Sequence, residues 1–155
     1  MNIAHSVTVR VFCWQEENAE EIINGLKFLI PFDFEKEKIG LRRQKALGFN
    51  DRRLDVFEVM LTKNEHVALL LKNMMHKISE TDKLLLLRQL DSRVDDESSF
   101  FIKFDKESLA KRSDLLVTDS GSCYHLKIKI AAFPSNKGNA MKVVESFLTA
   151  KPKTI

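Results

Sequence analysis

Between Ser6 and Trp14 apolar and polar residues alternate with a period of two. Val7, Val9, Val11 and Cys13 fall on one side, Thr8, Arg10, Phe12 and Trp14 on the other. That period predicts a β-strand. A helical pattern follows. Glu16, Glu17, Glu20 and Glu21 suit the positive end of a helix dipole, Ile22, Ile23, Leu26, Leu29 and Ile30 form one apolar stripe, and Pro31 stops it. Residues 35–44 and 53–62 then predict the two arms of a β-hairpin. The second arm, LDVFEVMLT, is plainly strand-like, whereas the first, EKEKIGLRRQ, is rich in charge and suits a sheet edge, where charges deter unwanted pairing.

The rest of the chain continues this interleaving. Asn64 is placed to cap a second helix carrying Val67, Leu70, Leu71, Met74, Met75 and Ile78, with Met60, Met74 and Met75 read as core filling. Ser79 with Asp82 makes a capping arrangement for a third helix, whose apolar face is Leu84, Leu87, Leu90 and Val94. A turn over residues 95–98 leads to the strand SFFIKF, with Phe100, Ile102 and Phe104 on one face, and Asp105 can cap a short helix through Arg112. LLVTD and CYHLKIKIAAF, joined by Ser120-Gly121-Ser122, predict a second hairpin, with Leu126, Ile128 and Ile130 opposite His125, Lys127 and Lys129. After Pro134 comes an amphipathic helix with Met141, Val144, Phe147 and Leu148, then a basic tail, KPKTI. With no internal repeat and no low-complexity linker, the expectation is one α+β domain over residues 1–155, a mainly antiparallel sheet with helices on one face.

Composition fits that picture. At 155 residues, 44% hydrophobic and 30% charged, the chain can bury a core and is not of disordered composition. Cys13 and Cys123 lie inside predicted strands, where buried reduced thiols are expected rather than a disulfide. No secretory leader and no apolar run of membrane-spanning length is seen, so a soluble cytoplasmic protein is expected. The net charge is only +3, which makes the position of the charges more telling than their sum.

The densest cluster of one sign is Arg42 to Arg53, RRQKALGFNDRR. Arg42, Arg43, Lys45, Arg52 and Arg53 stand against the single acid Asp51 around a Gly-Phe-Asn-Asp turn. This reads as the basic tip of a hairpin suited to a phosphate backbone, for which the planar arginine fork is apt. The alternative is a solvated tip that keeps an edge strand from pairing. Arg10, Lys127 and Lys129 extend the candidate set: were the first and last strands neighbours, they would share a face with Phe12 and Trp14, an arrangement on which single-stranded RNA stacks. The plainer expectation, and the preferred one, has Phe12 and Trp14 covered by a loop, the C-terminal tail or a partner subunit.

Other chemistry finds little support. His5, His66, His76 and His125 lack metal-ligand spacing, and two lone cysteines cannot complete a zinc set. Ser120-Gly121-Ser122 is a turn, not a nucleophile elbow. Asp95, Asp96 and Glu97 read as a solvated turn. No catalytic residue, metal or cofactor is expected. Leu84 to Leu87 cannot all face one core, which leaves Leu85 or Leu86 to mark a contact with another chain, a second copy included.

The order of elements, with AHSVTVRVF at 4–12, FEVMLTKNEHV at 57–67, LLRQLDSRVDDESSFFIKFDKES at 86–108 and LKIKIAAFPSNK at 126–137, resembles an archaeal family of predicted RNA-binding, exosome-associated proteins. Its fold is like that of the large-subunit ribosomal protein L-five. The resemblance spans residues 4 to 149 and rests on order and spacing together rather than on one motif. It implies a non-enzymatic, RNA-associated archaeal protein with exosome or ribosome-related partners, and transfers no site residue. The function expected is therefore RNA binding through the basic hairpin. The alternative is a protein-interaction or dimerisation module that does not touch nucleic acid.

Overall fold

The computed structural model describes residues 3–150; the basic tail at 151–155 lies outside the described residues. Five strands form one antiparallel sheet: β1 (Ala4–Trp14), β2 (Arg42–Leu47), β3 (Arg53–Leu61), β4 (Ser99–Asp105) and β5 (Cys123–Ile130), in the order β2-β3-β1-β5-β4. The first and last strands are therefore neighbours, with Val7 opposite Ile128 and Arg10 opposite His125. On the other side of β1, Val9 faces Val59 and Arg10 faces Glu58.

Six helices cover the core face: α1 (Ala19–Leu29), α2 (Asn64–Lys77), α3 (Glu80–Arg88), α4 (Leu90–Arg93), α5 (Lys106–Arg112) and α6 (Lys137–Thr149). Beneath them lie Val7, Val9, Val11, Phe57, Val59, Leu61, Leu126, Ile128, Ile130, Phe100, Ile102 and Phe104, each almost wholly buried. Alternation along β1 beyond its bulge at Ala4–Ser6, and along β3, β4 and β5, thus sends one set of side chains into the core and the other to the face that no helix covers. Among the described residues no helix is long and apolar enough to cross a membrane.

Several boundaries differ from those expected, each for a local reason. Asn18 caps α1, its Oδ1 accepting from the Glu20 and Glu21 amides, so Glu16 and Glu17 precede the helix rather than open it. Residues 35–38 form a turn and 39–41 irregular chain, not a strand, because the Asp33 carboxylate draws the Glu35 and Lys36 amides into a local turn; pairing starts only at Arg42. Lys63, not Asn64, occupies the cap position of α2, and no side chain caps it. The third helix breaks at Gln89 into α3 and α4, and its buried line is Asp82, Leu86 and Leu90. Leu86 is fully buried and Leu85 half-buried, while Leu84 is exposed, so the leucine left to solvent is a different one from those expected.

The second hairpin does not form. Both edges of β5 are already taken by β1 and β4, so LLVTD has no place beside it. The segment runs instead along the outer edge of β4, where the Asp105 amide donates to the Leu116 carbonyl (2.8 Å) and the Thr118 amide to the Lys103 carbonyl (2.9 Å). The buried Asp82 carboxylate accepts the Val117 amide at 3.0 Å, leaving that amide satisfied away from water. This closes one edge of the sheet. At the opposite edge β2 carries Arg42, Arg43 and Lys45, the charge-guarded position expected of it.

One contact sets how closely α1 approaches the sheet. The buried Tyr124 hydroxyl on β5 donates to the Ile22 carbonyl at 2.8 Å, and Gly25 lies directly against the ring. A Cβ at Gly25 would stand 2.8 Å from Tyr124 Cζ and 3.3 Å from Leu109 Cγ. Gly25→Ala should therefore destabilise the fold by about 1–3 kcal/mol through overpacking, although alanine is the better helix former. Urea unfolding will check this, and Tyr124→Phe in the same chain should recover part of the loss.

Candidate nucleic-acid interface

The open face is laid out by register. One row crosses all five strands: Arg42 opposite Glu58, Glu58 opposite Arg10, Arg10 opposite His125, and His125 opposite Lys103. The next row, two residues along, runs Met60, Thr8, Lys127, Phe101. On the other side of the charged row lie Gln44, Val56 and Phe12. Four cations and a histidine thus share a surface with one carboxylate in their row.

That carboxylate is shared. Arg10 donates to Glu58 Oε2 from Nε (2.9 Å) and Nη2 (2.6 Å), and Arg42 Nη1 stands 3.7 Å from Oε1. Both guanidiniums remain largely exposed, with side-chain accessibilities of 55% and 76% against 17% for Glu58. Glu58 therefore orients two arginines outward while neutralising only one charge. Among the described residues Lys103 and Lys127 form no ion pair. Lys129 is held at the end of the face, donating to the Glu97 carbonyl.

The hairpin cations are not gathered at its tip. Arg42, Arg43 and Lys45 lie along β2, and alternation divides them. Arg42 joins the open face, whereas Arg43 and Lys45 line the opposite side with Arg53 and Asp55, in a cleft that also holds Leu47 and Cys13. Arg43 is bound to Asp55 at 2.6 Å and lies 5.0 Å from the centre of the Phe57 ring. The tip itself is a 3₁₀ turn, Phe49–Asp51, in which Asn50 and Asp51 take positive φ, a conformation their short polar side chains tolerate.

The tip folds down on Trp14. Arg52 stacks on the indole with its guanidinium carbon 4.1 Å from the ring centre, and also pairs with Glu16. Gly48 makes that approach possible, since a Cβ there would sit 2.8 Å from two indole carbons. A loop thus covers Trp14, as expected. Phe12 is different: it is 41% exposed, so the expectation that it is covered does not hold. Its strand end is anchored from below by the buried Lys106, whose Nζ donates to the Phe12 carbonyl (3.0 Å) and to Glu17 Oε1 (2.7 Å).

Lys103, Phe101 and Glu58 were not among the expected site residues. Once Phe100, Ile102 and Phe104 are assigned to one face of SFFIKF, Phe101 and Lys103 must occupy the other, so that signal was present. Glu58 carried none, because only the pairing of β1 with β3 brings it to Arg10.

A family model described as RNA binding matches residues 6–149. The chain belongs to that family. The chain is similar to a Pyrococcus abyssi protein named RNA-binding protein PAB1135, 24% identical over 145 residues that cover 94% of each chain. In fold the chain is similar to the solved structures of protein AF2318 from Archaeglobus fulgidus (TM-score 0.82, 21% identity, 93% of this chain and 99% of that one) and of Mth689, a DUF54 protein from Methanothermobacter thermautotrophicus (TM-score 0.79, 19% identity, 95% and 99%). These three relatives are archaeal.

Titration at this face has a defined sign. Desolvation, then Lys103 and then Arg10, push the His125 pKa below the ordinary 6.5, while burial pushes the Cys123 thiol, whose Sγ is 3.3 Å from His125 Nε2, upward. The unfolded chain therefore binds a proton at His125 more readily than the folded one. The stability this contributes is present above pH 6.5 and is lost as pH falls below it. Denaturant unfolding between pH 8 and 5 should therefore show a smaller loss for His125→Gln than for the parent chain.

Proposed function

We propose that this protein binds RNA without catalysing a reaction on it, holding the phosphate backbone by electrostatic capture. The observation that supports this most is the row Arg42–Glu58–Arg10–His125–Lys103 with Lys127 beside it. Like charges brought together on one exposed surface weaken a fold slightly, and a polyanion offsets that repulsion. Arg10, Arg42, Lys103 and Lys127 are the principal phosphate ligands in this reading, and Lys129 extends them. The hairpin cations Arg43, Lys45, Arg52 and Arg53 flank the path, with Arg43 and Arg52 spent in part on Asp55 and on Trp14 and Glu16. A role as an accessory to RNA processing or degradation machinery, with exosome or ribosome-related proteins as partners, is supported by the sequence resemblance alone, as is kinship of fold with ribosomal protein L-five. The alternative of a protein-interaction module has the exposed Leu84 in its favour.

Salt dependence tests the reading. If about four phosphates are neutralised, log affinity for an unstructured oligoribonucleotide should fall against log salt with a slope near −3. Arg10→Glu with Lys127→Glu should abolish binding in a folded protein, since exposed charges contribute little to stability, and Arg43→Glu with Arg53→Glu should cost less. No binding by the parent chain at low salt would refute the proposal. Glu58→Gln frees both arginines of a competing anion, so its affinity should rise and its salt slope steepen.

A further inference from the structure

We infer that the open sheet face selects single-stranded RNA, by stacking unpaired bases on Phe12 and Phe101 while the cations between them hold the phosphates. The inference rests on the RNA-binding reading above and adds the class of RNA and the side chains that choose it.

Phe12 is 41% and Phe101 37% exposed, and both project from the face no helix covers. They flank the charged row on opposite sides. Phe12 lies two residues from Arg10 along β1, and Phe101 lies two residues from Lys103 along β4, opposite Lys127. From strand spacing and rise, the two positions are separated by roughly 16 Å along a diagonal across β5. Stacked neighbours in a nucleic-acid strand are only ~3.4 Å apart, so bases on the two rings belong to a splayed strand. Arg10, His125, Lys127 and Lys103 occupy the space between, where the intervening phosphates would pass.

A duplex fits this surface poorly. Its bases are already stacked and offer no free ring face, and the deep, narrow major groove of A-form RNA does not admit a sheet. An unpaired base meets a ring with any sequence, which is how aromatic platforms capture single strands. A second copy of the chain is a worse occupant. Two-fold pairing would set the same patch against itself, bringing the cations Arg10, Arg42, Lys103 and Lys127 up against the same cationic patch of the copy. The charge of the face favours a polyanion.

The test is fluorescence anisotropy with two labelled probes, an unstructured oligouridine and a blunt RNA duplex of equal length. Both are titrated with the parent chain and with Phe12→Ala, Phe101→Ala and Phe12→Tyr, each checked for folding by thermal unfolding. The parent should bind the single strand more tightly. Each alanine should weaken that binding roughly tenfold while leaving duplex binding within about twofold, and tyrosine should retain it. Equal affinity for the two probes, or single-strand binding unchanged by alanine, overturns stacking but leaves phosphate capture standing. Failure of both probes at low salt overturns the RNA-binding reading itself. Self-association of the parent chain that Phe12→Ala abolishes would assign the face to a second copy and overturn the inference.

Discussion

Pairing along both edges of β1 decides the rest of this structure. With β3 on one side and β5 on the other, β1 is locked in register by two partners far from it along the chain, and its alternation carries over to both of them. Slipping by one residue would turn Val7, Val9 and Val11 to solvent and drive Arg10 under the helices, a cost no surface contact could offset. The core and the candidate site are therefore one constraint viewed from two faces. Burying the valines is what holds Arg10 and Phe12 outward.

Local devices then refine that face. Lys106 reaches from the start of α5 beneath the sheet to bind the Phe12 carbonyl, and the Glu17 carboxylate it pairs with also accepts the Trp14 amide at 3.0 Å. The end of β1 is thus held from the core side while its outer side chains stay free. The hairpin contributes differently from a mobile basic arm. Its tip is fastened by Arg52 on Trp14 and Glu16, so Arg42 stands in a fixed position beside Arg10 rather than sweeping through solvent. Glu58 spaces the two guanidiniums and keeps their exposed edges forward.

Much of this was legible in the chain. The period-two runs of β1, β3, β4 and β5 identify their buried faces, and Asp105 caps its helix as expected, accepting from the Ser108 amide at 3.0 Å. What could not be read was long-range. Nothing local in LLVTD distinguishes a hairpin arm from an edge segment; only the occupation of both edges of β5 settles it. The same holds for the basic cluster. Five cations within twelve residues look like one patch along the sequence, yet strand alternation sends Arg42 one way and Arg43 and Lys45 the other. The four leucines of α3 likewise resolve only when Asp82 is drawn inward to the Val117 amide, which rotates Leu86 into the core.

The central claim is that RNA lies across the open face of the sheet. Backbone amide chemical shifts, followed by NMR as a short unstructured oligoribonucleotide is added, test it most directly. The account predicts perturbations centred on Arg10–Phe12 of β1, Phe101–Lys103 of β4 and His125–Lys127 of β5, with Arg42 at the margin and α1 and α2 unchanged. Perturbations confined to the helical layer, or to the hairpin tip at Phe49–Arg53 with the sheet silent, would contradict it.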